Sequence, residues 1–360
     1  MKKYIQYLFK NALLETVIIS SVILLANIFF VYLDKGSYAR LMINTGGWRY
    51  SVPGVLAGTL IVTLTISLIV ILLLKVYKLK SKDYKDVIYA LPISRKKLIA
   101  SHLVVGFIQV FIIMTISFIG TTVVFYFLSN KAFDMGLIWL MYPVLILLLV
   151  ILFGLIQLII FRSNNIIDAA GLVLAYFILS LIIMLTIQAF KYGYDISNLG
   201  FNEMIIYPYY SAVELMKYLL MNATPSFTGG FELLEMTSID LSKIVIHAVM
   251  YVSLSIFSVW YVLFKSKADK VEHVGGITTS GIGYKVLNPL IIFFSSTLLF
   301  ILSFKSLFDL IFFLPMLLLV YYVMYIIYRR KFRITKYDYL VVGITVLVAW
   351  VAVYITYDLI

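Results

Sequence analysis

Long apolar runs alternate with short polar ones along this sequence, and that alternation constrains the fold more than any other feature. The apolar runs fall at roughly 12–33, 54–74, 103–128, 137–161, 169–190, 244–264, 287–303, 309–328 and 339–357. Most have the roughly 20 residues that a helix needs to cross a hydrocarbon core about 30 Å thick. Inside such a core every backbone N–H and C=O must be paired within its own segment, so these runs predict transmembrane helices and an all-α, polytopic membrane protein. Composition agrees. Of the 360 residues, 63% are hydrophobic and 13% are charged, about half the charged share of a soluble domain. The run at 287–303 is the shortest, and a re-entrant segment would also fit it.

The net charge of +12 does not point to nucleic acid, because lysines and arginines collect in the cytoplasmic loops of membrane proteins. With nine spans and a cytoplasmic N-terminus, 21 of the 29 Lys and Arg residues fall on the inner side. That predicts a multi-pass protein of the plasma membrane, and the excess of Lys over Arg with abundant Ile, Tyr and Phe fits a low-GC bacterium. Residues 1–11 place Met1, Ile5, Leu8 and Phe9 on one face and suit an interfacial helix. The span that follows is too long for a signal-peptide core and is expected to be an uncleaved anchor. Residues 191–243 are expected outside. They carry six acids against three lysines, and a Tyr207–Tyr210 aromatic cluster precedes a helical pattern of Ala212, Val213, Met216, Leu219 and Leu220. Such a helix either dips into the outer leaflet or caps the bundle. Residues 265–286 are expected to form a basic cytoplasmic linker, with additional transmembrane helices over 287–360.

The stretch from Lys75 to Ser101 has eight cations and two acids. Within it Tyr84, Val87, Ile88 and Leu91 recur at helical spacing. Pro92 lacks an N–H and biases Leu91 away from helix, and Ser94 can cap a helix starting at Arg95. A short amphipathic helix between two spans, wrapped in positive charge, is either a loop that fixes topology or a docking element for a cytoplasmic partner.

Several chemistries lack their residues. The chain has no cysteine, hence no disulfide or thiolate, and its three histidines, His102, His247 and His273, are widely separated. No G-x-x-x-x-G-K-[ST] is present to cradle a nucleotide, and no H-E-x-x-H or G-x-S-x-G to hydrolyse a peptide or ester. No span holds a pair of acids, and the first outer loop, 34–53, holds only Asp34. An enzyme is therefore not expected. The polar groups within spans are Glu15, Asn27, Gln109, Gln157, Asp168, Gln188 and His247. Glu15 and Asp168 fall near the inner boundary and His247 near the outer, which predicts wet or paired interfacial groups rather than mid-membrane ion-coupling sites.

Residues 83–103 resemble the segment after the second span of type-2 ABC exporter permeases: a short helix, then Leu-Pro, then a basic run opening span three. Leu91, Pro92, Ser94, Arg95 and Lys96 match that pattern, and residues 265–275 resemble the basic, glycine-containing run after span six of longer members. The resemblance implies a six-span core over 12–264 with a coupling helix at 83–91, to which the spans after 286 are extra. It also implies a chain without a nucleotide-binding domain of its own, partnered by cytosolic ABC ATPase subunits that bind ATP and Mg, by a second permease copy or homologous permease, and by membrane lipid. Tyr84, Asp86, Val87, Leu91, Arg95 and Lys96 are then the ATPase-coupling residues. The apolar, aromatic spans fit export of an amphipathic cargo, such as an antimicrobial or toxin peptide or a lipid-like molecule. The alternative from another class is a membrane sensor or immunity subunit that binds peptide without moving it.

Overall fold

The structure, a computed structural model, describes residues 2–33, 51–80, 92–128, 135–192, 241–265, 283–303, 307–329 and 335–358. Ten helices account for nearly all of them, with no strand among the described residues: α1 (Lys2–Leu33), α2 (Ser51–Lys80), α3 (Arg95–Leu128), α4 (Met135–Trp139), α5 (Met141–Arg162), α6 (Ile166–Tyr192), α7 (Leu241–Lys265), α8 (Tyr284–Ser303), α9 (Leu307–Arg329) and α10 (Lys336–Asp358). Eight contain a stretch long and apolar enough to cross a membrane. The chain is thus an all-helical, multi-pass membrane protein. The remaining expected span, 309–328, falls on α9, whose apolar stretch among the described residues is the shorter Ile311–Ile326. The run at 287–303 belongs to α8, whose 20 residues reach about 30 Å.

Three helices outrun the boundaries read from hydropathy. α1 is unbroken over 32 residues and takes in the N-terminal stretch read as a separate interfacial helix. α2 continues through Lys80, so Lys75, Lys78 and Lys80 are helical rather than part of an inter-span loop. Lysine is a good helix former, and α2 holds no Gly or Pro after Gly58 to stop it. α3 begins at Arg95, well before its apolar run. The Leu98 amide donates to the Ser94 carbonyl at 2.9 Å, which puts Ser94 at the cap position expected of it.

The chain forms two compact units: residues 1–158 with 202–271, and residues 159–201 with 272–360. In the first, α1 lies along α3, and α2 packs against both. Hydrogen bonds of Thr16 with Gln109 and of Asn27 with Ser117 make α1 and α3 parallel; Glu15 with Lys78 and Asn27 with Thr63 make α1 and α2 antiparallel. α7 crosses α5 at Gly154. The Ser255 hydroxyl donates to the Val150 carbonyl at 2.7 Å, and a Cβ at Gly154 would overlap Ser255. Small residues at a crossing let two backbones approach where lipid offers no hydrophobic drive for association.

In the second unit α8 packs against α6, α9 and α10. Leu172 and Leu179 meet Leu287 and Ile291; Ile292 meets Tyr321 and Tyr325; Ala189, Phe300 and Ile301 meet Ala349 and Val353. The fifth span in sequence order therefore packs with the C-terminal helices. Both α6 and α10 open on a side-chain cap with an aspartate three residues on. Asn165 Oδ1 accepts from the Asp168 amide at 2.7 Å, and Thr335 and Asp338 form a reciprocal capping box. The buried Tyr321 hydroxyl ties α9 to α8 through Ser295 (2.6 Å), Ser296 (3.0 Å) and the Ile292 carbonyl (3.2 Å). Tyr321→Phe keeps the ring and removes these bonds. It is expected to lower stability by about 1 kcal/mol, as interhelical hydrogen bonds in membranes do, and denaturant titration in mixed micelles measures it.

Candidate functional site

Tyr84, Asp86, Val87 and Leu91, with the whole of 83–91, lie outside the described residues, and so do most of 191–243 and 265–286. What the structure gives is the frame on either side. Pro92, Ile93 and Ser94 lead into α3, where Arg95 is half-buried while Lys96 and Lys97 are exposed. α2 arrives from the other side as helix through Lys80.

Where α2 leaves and α3 begins, α1 joins them in a cluster of ionisable groups. Glu15 of α1 forms an ion pair with Lys78 of α2, both side chains about one-third exposed. One turn earlier on the same face of α2, Lys75 is only 3% exposed and lies in the electrostatic field of Glu15 and Lys78. Its stem passes Gly106 of α3, where an added Cβ would stand 3.7 Å from Lys75 Cγ. His102 of α3 is buried and its Nε2 lies 3.4 Å from the Tyr4 hydroxyl. Two of the cluster's buried atoms, Glu15 Oε2 and His102 Nδ1, have no hydrogen-bond partner. The cluster thus holds one carboxylate paired with Lys78 and a second, buried lysine one turn away.

Further along the same seam the polar groups are neutral, and the side-chain amides of Gln109 and Asn27 donate to neighbours while their oxygens have no partner. Gln109 Nε2 donates to Thr16 Oγ1 at 2.8 Å and to the Ala12 carbonyl at 3.2 Å. Asn27 Nδ2 donates to Thr63 at 3.3 Å and to Ser117. Of the in-span polar groups read from sequence, Glu15 is paired as expected, and Asn27 and Gln109 join it in one unit. Gln157 donates to the Gly154 carbonyl of its own helix at 3.2 Å, Asp168 sits in the first turn of α6, Gln188 is buried in α6, and His247 lies on α7. Sequence reading missed Lys75 as a buried charge. Its spacing of three from Lys78 is visible, but the helix residues that bury it are not adjacent to it in sequence. Among the described residues no three His, Cys, Asp or Glu side chains come together as a metal site would need.

Neither a protein-family model nor a curated protein nor a solved structure matches the chain.

Proposed function

We propose that the chain is the transmembrane permease subunit of an ATP-driven exporter in a bacterial plasma membrane, with its N-terminus cytoplasmic. Separate cytosolic ABC ATPase subunits, which bind ATP and Mg, energise it, and it works beside a second permease copy or a homologous permease. Its cargo is an amphipathic peptide or a lipid-like molecule. The observation that carries this reading is the short amphipathic 83–91 stretch, flanked by Lys78, Lys80 and Lys82 on one side and by Arg95, Lys96 and Lys97 on the other, with Leu91-Pro92 leading to the Ser94-capped start of α3. The packing of α2 against α3 supports it, because a push on the stretch between them enters two long helices of one unit.

Val87 and Leu91 lie four apart, so both can enter one groove on a partner. Truncating each to Ala removes apolar contact worth about 2 kcal/mol if fully buried there. Asp86 at a solvated rim would contribute only about 0–1 kcal/mol. Val87→Ala with Leu91→Ala is therefore expected to uncouple transport more than Asp86→Ala does, with membrane insertion unchanged. The measurement is ATPase-subunit binding and cargo-stimulated hydrolysis in a reconstituted complex, with the 360-residue chain alone showing no hydrolysis. Wild-type turnover in the double variant would reduce this stretch to a topology loop. Peptide binding without ATPase capture or uptake would favour the sensor or immunity reading.

A further inference from the structure

Three of the polar groups of α2 and α3 that meet α1, namely Lys78, Thr63 and Ser117, have a second polar residue one helical turn away. Glu15 takes Lys78, and Lys75, three residues before it on the same face of α2, is buried. Asn27 takes Thr63, and Thr59 lies four residues before it on α2. Asn27 also takes Ser117, and Thr121 lies four residues after it on α3, fully buried and with its hydroxyl oxygen unpartnered. Because α2 runs antiparallel to α1 and α3 parallel, all three spare positions lie in one direction, toward the C-terminal end of α1. Residues three and four apart share a helix face, so one axial slide brings all three into register together.

We propose that α1 has two registers against α2 and α3, about one helical turn apart: the described one, and a second in which Glu15 pairs with Lys75 and Asn27 meets Thr59 and Thr121. The slide is about 5 Å, the size of the one-turn ratchets by which packed helices switch between discrete states. It gives Lys75 a direct counter-charge and reaches the unpartnered Thr121 oxygen, both of which carry a desolvation cost where they now stand. It breaks the Tyr4–His102 contact and the Gln109–Thr16 bond, which are what favour the described register. The inference rests on contacts within one unit and does not depend on the exporter reading.

The chain has no cysteine, so two nitroxides can be placed by Tyr7→Cys on α1 and Val62→Cys on α2, both exposed positions. Tyr7 and Val62 lie on opposite sides of the Glu15–Lys78 level, so the slide shortens their separation directly. Pulsed EPR on the full chain in lipid nanodiscs is expected to show a shortening of about 5 Å in Lys78→Met, where Lys75 is the cation left to Glu15. Lys75→Met should keep the parent distance. An unchanged distance in Lys78→Met, or the same shift in both variants, overturns the proposal. So does failure to recover folded Lys78→Met, because a second register would leave Glu15 paired.

Discussion

Glu15→Gln is expected to lower the free energy of unfolding by about 2 kcal/mol, the largest single effect among the charged residues described above but below that of a fully buried pair, because Glu15 and Lys78 are each about one-third exposed. The substitution is nearly isosteric, so packing around α1 is kept and only the charge goes. It leaves Lys78 without its ion pair and Lys75, at 3% exposure, with no negative charge to offset its burial. Removing one member of a charged set that includes a buried group costs more than replacing the whole set with apolar groups, because the desolvation of the buried charge is no longer offset. The triple variant Glu15→Gln, Lys75→Met, Lys78→Met should therefore return to within about 1 kcal/mol of the parent. Reversible unfolding in mixed micelles measures both. A triple variant no more stable than Glu15→Gln alone would show that the cluster acts through shape rather than charge.

The second large effect is expected at the crossing of α5 and α7. A Cβ at Gly154 would overlap the side chain of Ser255 and stand 2.7 Å from its Cα, so repacking one hydroxyl does not relieve it and the helices must separate. Gly154→Leu is expected to cost about 3 kcal/mol, at the upper end for overpacking, with loss of the Ser255–Val150 hydrogen bond included. Gly154→Ala should cost less, and Ser255→Gly on that background should recover only part of the loss, since the α7 backbone still crowds the added methyl group. Thermal unfolding of the three variants in the same detergent tests the order. A neutral Gly154→Leu would mean that α7 does not lie against α5 at this point.

Hydropathy was enough to read the helical class and eight of the nine expected spans, because a bilayer imposes length and apolarity on each segment separately. It located helix ends less well. α2 runs on to Lys80 and α3 starts at Arg95 because helix propensity does not stop where apolarity does. The cap at Asn165 and the Thr335–Asp338 box follow a readable pattern of Asn or Thr with Asp three residues on, which attention to spans alone passed over. The partnering of helices was not legible. That α6 packs with α8, and that Glu15 meets Lys78 across 63 residues, depends on shape and small residues between equally apolar surfaces. The residues read as coupling groups at 84–91 lie outside the described chain.

The lengths of the helices also set how the protein meets membranes of different thickness. α1, α2 and α3, at 32, 30 and 34 residues, are about 45–50 Å long and can tilt or extend without exposing a polar end to hydrocarbon. α8 has 20 residues and no such slack, and it is the helix against which α6, α9 and α10 pack. In a sterol-rich or otherwise thick bilayer the lipid must thin around α8, or its flanking residues must snorkel, at a cost of a fraction of a kcal/mol per Å. Of these four helices, α8 is thus the one whose fit depends most on bilayer thickness, while α1, α2 and α3 tolerate a wider range.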